Sequence, residues 1–238
     1  MRKIRLISTG TVFLLAAAGI SGEADAQFVV MPFAPPVNWS GPYLGIEGGG
    51  GWGSSSHSDN TGFSSGSFAV DGALLGGTAG YNWQTGPIVY GVEGDMSWAD
   101  FGGSTAGPFG EVCGGAVPNC HTGLGDLGTA RGRLGYSLGR IMPYATAGLA
   151  FGDVHGSEGD IPANGAAGSG NAYRLGWTAG AGIEDALAPH WSAKLEYLHV
   201  DLGSGPVFTD TFSSGSAVSQ RVSFHADILR VGLNYDFW

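Results

Sequence analysis

The chain has 238 residues, 45 of them glycine, with 43% hydrophobic and 11% aromatic content and a formal net charge of -10 at pH 7. Glycine at this level without a G-X-Y period excludes collagen, and the apolar and aromatic content excludes a disordered, solvated chain. The acidic balance offers no basic patch for neutralising phosphates, so nucleic acid is not an expected partner.

The N-terminus, MRKIRLISTGTVFLLAAAGISGEADAQ, has a basic start (Arg2, Lys3, Arg5), an apolar run over residues 12 to 20, and Ala24-Asp25-Ala26. That order predicts a secretory signal peptide over residues 1–26 with an A-x-A cleavage site. Residues 27–40, with Pro32, Pro35 and Pro36, are expected to form a periplasmic arm, and 41–238 the folded domain. No later segment supplies about 20 consecutive apolar residues, so a membrane crossing would have to be made by a barrel.

Period-2 alternation then marks eight strands, near residues 42 to 52, 70 to 83, 88 to 100, 124 to 137, 141 to 153, 172 to 185, 191 to 203 and 223 to 238. The links alternate in length. Gln84 to Pro87, Leu138 to Arg140 and Ala186 to His190 are short, whereas those near 53 to 69, 101 to 123, 154 to 171 and 204 to 222 are long and rich in Gly, Ser, Asp and Pro. Short periplasmic turns alternating with long extracellular loops predict an all-β fold, an eight-stranded antiparallel up-and-down transmembrane β-barrel with both termini on the periplasmic side. A soluble calycin-like barrel is the alternative; it would need its greasy face inward.

Parity sorts the side chains. In the closing ILRVGLNYDFW, Leu229, Val231, Leu233, Tyr235 and Phe237 share one face, and Arg230, Gly232, Asn234 and Asp236 the other. Ile88, Tyr90, Val92, Met96 and Trp98 likewise oppose Glu93 and Asp95. Beyond the leader the basic residues are Arg131, Arg133, Arg140, Arg174, Lys194, Arg221 and Arg230; all but Arg140 and Arg221 fall on the inward parity. Eight strands leave a lumen just wide enough for side chains to fill. Glu47, Glu93, Arg131, Arg133, Arg174, Glu184, Lys194, Glu196 and Arg230 are therefore expected to meet in a charge network across it. Tyr81, Trp83, Tyr136, Trp191, Tyr235 and Trp238 near the short turns, with Trp52 and Trp98 at the loop ends, suit interfacial belts.

The two cysteines, Cys113 and Cys120, bracket CGGAVPNC. In an exported chain this reads as a local disulfide. A metal site would need two more ligands, and only His121 lies nearby in sequence, so no metal is expected.

The stretches NWSGPYLGIEGGGGWG, YGVEGDMSW, ARGRLGY, GWTAGAGIEDAL, WSAKLEYLHVDLG and LRVGLNYDFW, in that order, resemble the small porin-like outer-membrane proteins of alphaproteobacteria, surface-antigen barrels similar to the transmembrane domain of OmpA. The resemblance covers essentially the whole mature chain. It implies assembly by the outer-membrane insertion machinery, with Tyr235, Phe237 and Trp238 as the terminal insertion signal; Trp238 is an addition, since members of the family usually stop at the position of Phe237. The separate peptidoglycan-binding domain of full-length OmpA-type proteins is not expected.

Three function classes follow. The first is a structural, surface-exposed barrel with at most weak, narrow porin activity. The second is a surface receptor for a host or environmental ligand, for example haem, through His57, His121 and His155, expected in three extracellular loops. The third, an enzyme, would draw on His225 and Asp227, but no nucleophile is identifiable and no catalysis is expected. GLGDLG at 123–128 opens a strand where a dinucleotide site needs a helix, and GGGGWG at 48–53 lacks the Lys-Ser/Thr of a phosphate loop; no cofactor is expected. Expected partners are outer-membrane lipid and lipopolysaccharide, the latter through divalent cations bridging to loop carboxylates such as Asp59, Glu111, Glu158, Asp160 and Asp210.

Overall fold

The computed structural model describes residues 37–60, 64–106, 120–158, 168–211 and 217–237. They form eight strands: β1 Gly41–Asp59, β2 Ser64–Thr85, β3 Ile88–Thr105, β4 Cys120–Tyr136, β5 Ile141–Glu158, β6 Gly168–Ala188, β7 Trp191–Thr211 and β8 Ala217–Asp236. Each pairs antiparallel with the next, and β1 pairs with β8 from Tyr43↔Asp236 to Asp59↔Gln220, closing the barrel. Closure satisfies the strand backbones internally, as a bilayer core demands.

The strands come in the expected order but run 17 to 22 residues, about twice the roughly 9 to 11 that span a bilayer. Much of what reads as long loop is strand. A Gly/Ser/Asp-rich stretch lacks strand propensity, but once its neighbour is in register the ladder continues because each added pair satisfies backbone groups. Loop residues 61–63, 107–119, 159–167 and 212–216 lie outside the described residues, as do the expected leader and most of the arm. At the other end the turns are tight. Gly86 (φ 62°) and Gly139 (φ 85°) take left-handed conformations that a side chain disfavours. Beside the second turn, Arg140 forms a two-pronged ion pair with Asp185, at 2.7 and 2.9 Å. These hydrogen bonds hold the Arg140 guanidinium above its ordinary range.

The barrel wall has two regimes. In the half nearer the short turns, Leu44, Ile46, Val92, Leu134, Ile183, Leu195 and Val231 point outward and are exposed, while charged side chains point inward. Tyr81, Trp83, Tyr90, Tyr136, Trp191 and Tyr235 edge this apolar band below; Trp52, Trp98, Tyr173 and Trp177 edge it above. Trp238 lies outside the described residues. Above the upper belt the polarity inverts. On β8 the inward residues become Ile228, Ala226, Phe224 and Val222, all buried, while Asp227, His225 and Arg221 face out. On β7, Leu198, Val200 and Leu202 turn inward, with His199 and Asp201 outside. The inversion is marked by outward aspartates beside the belt: Asp71 and Asp227 pair with Trp52, Asp126 with Trp98, Asp153 with Tyr173 and Asp201 with Trp177. The lower half thus follows the membrane pattern and the upper half the soluble-barrel pattern. The expectation of a polar interior along the whole strand holds only below the belt.

Glycine makes the lower interior possible. A Cβ at Gly232 would stand 2.8 Å from Lys194 Cε, and one at Gly182 would stand 2.6 Å from Tyr144 Oη. These positions leave room for long inward side chains.

Val231 sits midway between Tyr235 and Asp227 on the outward face of β8. Val231→Arg should cost about 2 to 4 kcal/mol, as expected for a cation near the bilayer midplane, whereas His225→Arg, above the belt, should cost less than about 1 kcal/mol. Reversible urea unfolding in lipid vesicles reads both; equal costs would contradict the assigned height of the apolar band.

Candidate functional site

The lumen is filled in layers. At the mouth beside the short turns, Val37 to Ser40 fold into the barrel floor. Trp39 is 1% exposed and packs with Val89, Met142 and Tyr144. Its indole N–H donates to Gly139 O at 3.3 Å, and its backbone N–H to Gln84 Oε1 at 2.7 Å. The end of the expected arm is thus the floor of the domain, because a tryptophan at the mouth of a narrow barrel finds an apolar socket there.

Above the floor lies the charge network. Arg131 on β4 donates to Glu196 Oε1 at 2.9 Å, to Asp95 Oδ2 at 2.8 Å, to Thr129 Oγ1 at 2.8 Å and to Glu93. Arg230, on the opposite wall, donates to Glu196 Oε2 at 2.7 Å, to Asp95 Oδ2 at 3.1 Å and to Glu47. The two guanidinium groups thus share Asp95 and Glu196, and Lys194 links Glu47 (3.0 Å) to Glu93 (3.2 Å). Arg133 forms a second centre nearer the floor. It binds Glu184 at 2.6 Å, donates to Tyr43 Oη at 3.1 Å and lies 4.1 Å from the Tyr144 ring centroid. Ser192 and Asn234 donate to the other oxygen of Glu184, at 2.6 and 2.7 Å. Tyr43 donates to Glu93 at 2.7 Å and Tyr144 to Glu196 at 3.0 Å, joining the two centres.

Eight of the nine residues expected in the network are brought together. Arg174 is not: it is half-buried above the network and its guanidinium caps Gly205 O. Its parity is inward, but its height is wrong, and parity carries no height. Asp95, Tyr43 and Tyr144 are members that the expected set lacks. Asp95 was visible as an inward neighbour of Glu93. The tyrosines carry no charge by which parity would mark them for the network, although Tyr43 alternates correctly against Leu44.

Above the network Leu74, Phe101, Leu124, Leu127, Val154, Leu198, Leu202, Phe224 and Ile228 form a buried apolar core, with Phe101 and Phe224 edge-on at 6.4 Å between ring centroids. A register shift between Leu124 and Leu127 lets both side chains enter it. The described lumen is therefore occupied by an aromatic floor, a salt-bridged middle and an apolar upper core.

The other expected sites separate. His57 is not in a loop but on β1, completely buried inside the barrel, whereas His121 and His155 are exposed on the outer faces of β4 and β5. The three imidazoles do not converge, so the expected haem ligand set is not assembled. Glu158, expected on a loop, also points inward and is buried. Among the other carboxylates expected to face lipopolysaccharide, Asp59 ends β1, Asp210 lies on β7, and Glu111 and Asp160 fall outside the described residues. His225 and Asp227 face outward but bind different partners. His225 Nε2 is 3.0 Å from Ser54 Oγ, while Asp227 accepts from Tyr197 Oη at 2.6 Å and contacts His199 Nδ1 at 2.8 Å. Cys120 is disulfide-bonded; Cys113 lies outside the described residues. Tyr235 and Phe237 are outward and exposed at the closing seam.

Removing one member of the middle layer strands buried charge of the opposite sign. Arg131→Ala should destabilise the barrel by about 3 to 5 kcal/mol, measured by urea unfolding in vesicles. A loss below about 1 kcal/mol would mean that water already solvates Glu93, Asp95 and Glu196.

Residues 12–237 match the family model described as outer membrane protein beta-barrel domain. The chain is 33% identical over 252 residues to a 31 kDa outer-membrane immunogenic protein of Brucella melitensis, covering 100% of both chains. It is 34% identical over 189 residues to a 22 kDa outer membrane protein of Rhizobium leguminosarum, covering 77% of this chain and 75% of the relative. Among solved structures, OprG of Pseudomonas aeruginosa superposes with a TM-score of 0.55 at 14% identity, over 83% of this chain and 97% of that one, a likeness of fold. With its closed ring, outward apolar band and inward charges, the chain belongs to the outer membrane protein beta-barrel domain family and resides in the outer membrane.

Proposed function

We propose that this chain is a structural, surface-exposed outer-membrane barrel whose lumen does not conduct ions. The observation that carries the reading is the shared coordination of Asp95 and Glu196 by Arg131 and Arg230 from opposite walls. A hydrated ion would have to break these pairs and then pass an apolar core that offers no solvation. The upper half, polar outside and apolar inside, acts as a self-supporting pedestal that lifts the loops clear of the bilayer. In the wider lineage, Tyr235 and Phe237 would serve the insertion machinery, a role supported by their outward placement at the β1–β8 seam.

Lipopolysaccharide is the proposed neighbour of the upper wall. Asp71, Asp100, Asp126, Asp153, Asp201 and Asp227 face outward at the level where headgroup phosphates begin, so divalent cations would bridge the two sets of anions. A chelator should release lipopolysaccharide that co-purifies with the barrel, and restored magnesium should let it rebind; release insensitive to both would refute cation bridging.

Planar-bilayer recording tests the closed lumen. Folded wild-type protein should give no stable single-channel steps, and the Arg131→Ala, Arg133→Ala double variant should give intermittent ones. Steady conductance from the wild type would refute the closed lumen.

A further inference from the structure

Above the apolar core, at the extracellular end of the lumen, three ligating side chains from different strands converge: His57 of β1, Cys120 of β4 and Glu158 of β5. All are buried, and their candidate donor atoms lie within 4.8 Å of one another. His57 Nδ1 is 3.9 Å from Glu158 Oε1, and Cys120 Sγ is 3.5 Å from the same oxygen. Ligands at about 2.0 to 2.3 Å around a tetrahedral ion stand about 3.3 to 3.8 Å apart, so small side-chain adjustments would place an ion among them.

The hydrogen bonds fix which imidazole nitrogen is available. Ser55 Oγ donates to Ser223 O at 2.8 Å, so it accepts from Thr122 Oγ1, also at 2.8 Å. Thr122 has then spent its proton and must accept from His57 Nε2, again at 2.8 Å. In the neutral imidazole this relay puts the proton on Nε2 and leaves the Nδ1 lone pair facing the Glu158 carboxylate. Among the described residues Nδ1 has no hydrogen-bond partner, and neither does the nearby Gln220 Oε1, whose amide nitrogen donates to Glu158 Oε2 at 3.2 Å. Buried acceptors facing one another with nothing between them are unfavourable unless a cation joins them.

We propose that His57, Cys120 and Glu158 form a latent transition-metal site of the zinc class, held closed by the Cys120 disulfide. A disulfide sulfur is a poor ligand, whereas a thiolate beside an imidazole and a carboxylate is a donor set suited to zinc. Opening the site takes two electrons and two protons from a dithiol, which closes to its own disulfide as the protein's S–S bond becomes two thiols. Metal binding then releases the Cys120 proton to solvent. Disulfide and metal are thus alternative staples for the same mouth of the barrel.

Cobalt(II) serves as the probe, because thiolate ligation gives a sulfur-to-metal charge-transfer band, with zinc(II) as competitor. The chain has only two cysteines, so Cys113→Ser leaves Cys120 as a thiol without added reductant. This variant in detergent, with its folding verified by the mobility shift on boiling, should take up one cobalt per chain with the band present, and zinc should displace it. Oxidised wild type should show no band and bind at least about tenfold more weakly. Adding His57→Ala or Glu158→Gln to Cys113→Ser should weaken binding at least about tenfold, on the scale of lost metal-site interactions. If Cys113→Ser does not fold, wild type reduced and desalted under anaerobic conditions replaces it. The proposal is overturned if the folded thiol form takes up no metal, if oxidised protein binds equally well, or if neither second substitution weakens binding.

Discussion

The barrel depends on how its buried charges are neutralised. Four cations and five carboxylates make up the ion-pair network of the lower lumen, and the two-pronged geometry of arginine lets Arg131 and Arg230 each engage several acids at once. Lysine at either position would satisfy fewer oxygens. Because the charged members come from β1, β3, β4, β6, β7 and β8, the network forms only when the sheet has closed in one register. A slip of one residue on any of these strands would turn its charged side chain out to lipid. The network is therefore a register lock, and Gly182 and Gly232 are small because the locking side chains need their space.

The polarity inversion extends that logic upward. Water surrounds the wall above the headgroups, so the outer face becomes polar and the inner face can be apolar. Leu198, Phe224 and Ile228 then stabilise the upper barrel as a soluble domain is stabilised. The two regimes meet at Trp52, Trp98, Tyr173 and Trp177, whose amphipathic rings suit the boundary. At the top of the apolar core, the buried His57 and Glu158 stand apart from this scheme, because neither carries water-facing or lipid-facing duty.

Much of the site could be read from alternation alone. Glu93 and Arg133 were assignable to the lumen because their neighbours Val92 and Leu134 are greasy, and in a barrel one face must meet lipid. Arg174 satisfied the same rule yet stands outside the network, beside the Gly205 carbonyl. Tyr43 and Tyr144 carry no charge that alternation would sort into the network, and only a three-dimensional neighbour such as Glu93 or Glu196 reveals their part in it. His57 looked like a loop residue because SSSHSD carries no strand propensity; its strand exists through pairing with β8, where His57 stands opposite Val222.

By itself the sequence determined the number of strands, their alternating faces, the side of the short turns and the inward placement of most charges, since each is a local consequence of a two-residue period and of turn chemistry. The tertiary structure decided which charges meet, where the interior changes from charged to apolar, that Trp39 closes the floor, and that His57, Cys120 and Glu158 share one chamber. Those are matters of height along the barrel axis. Height is set by register summed around a closed ring, and contacts such as Glu47 with Arg230, 183 residues apart in sequence, leave no trace in any local pattern.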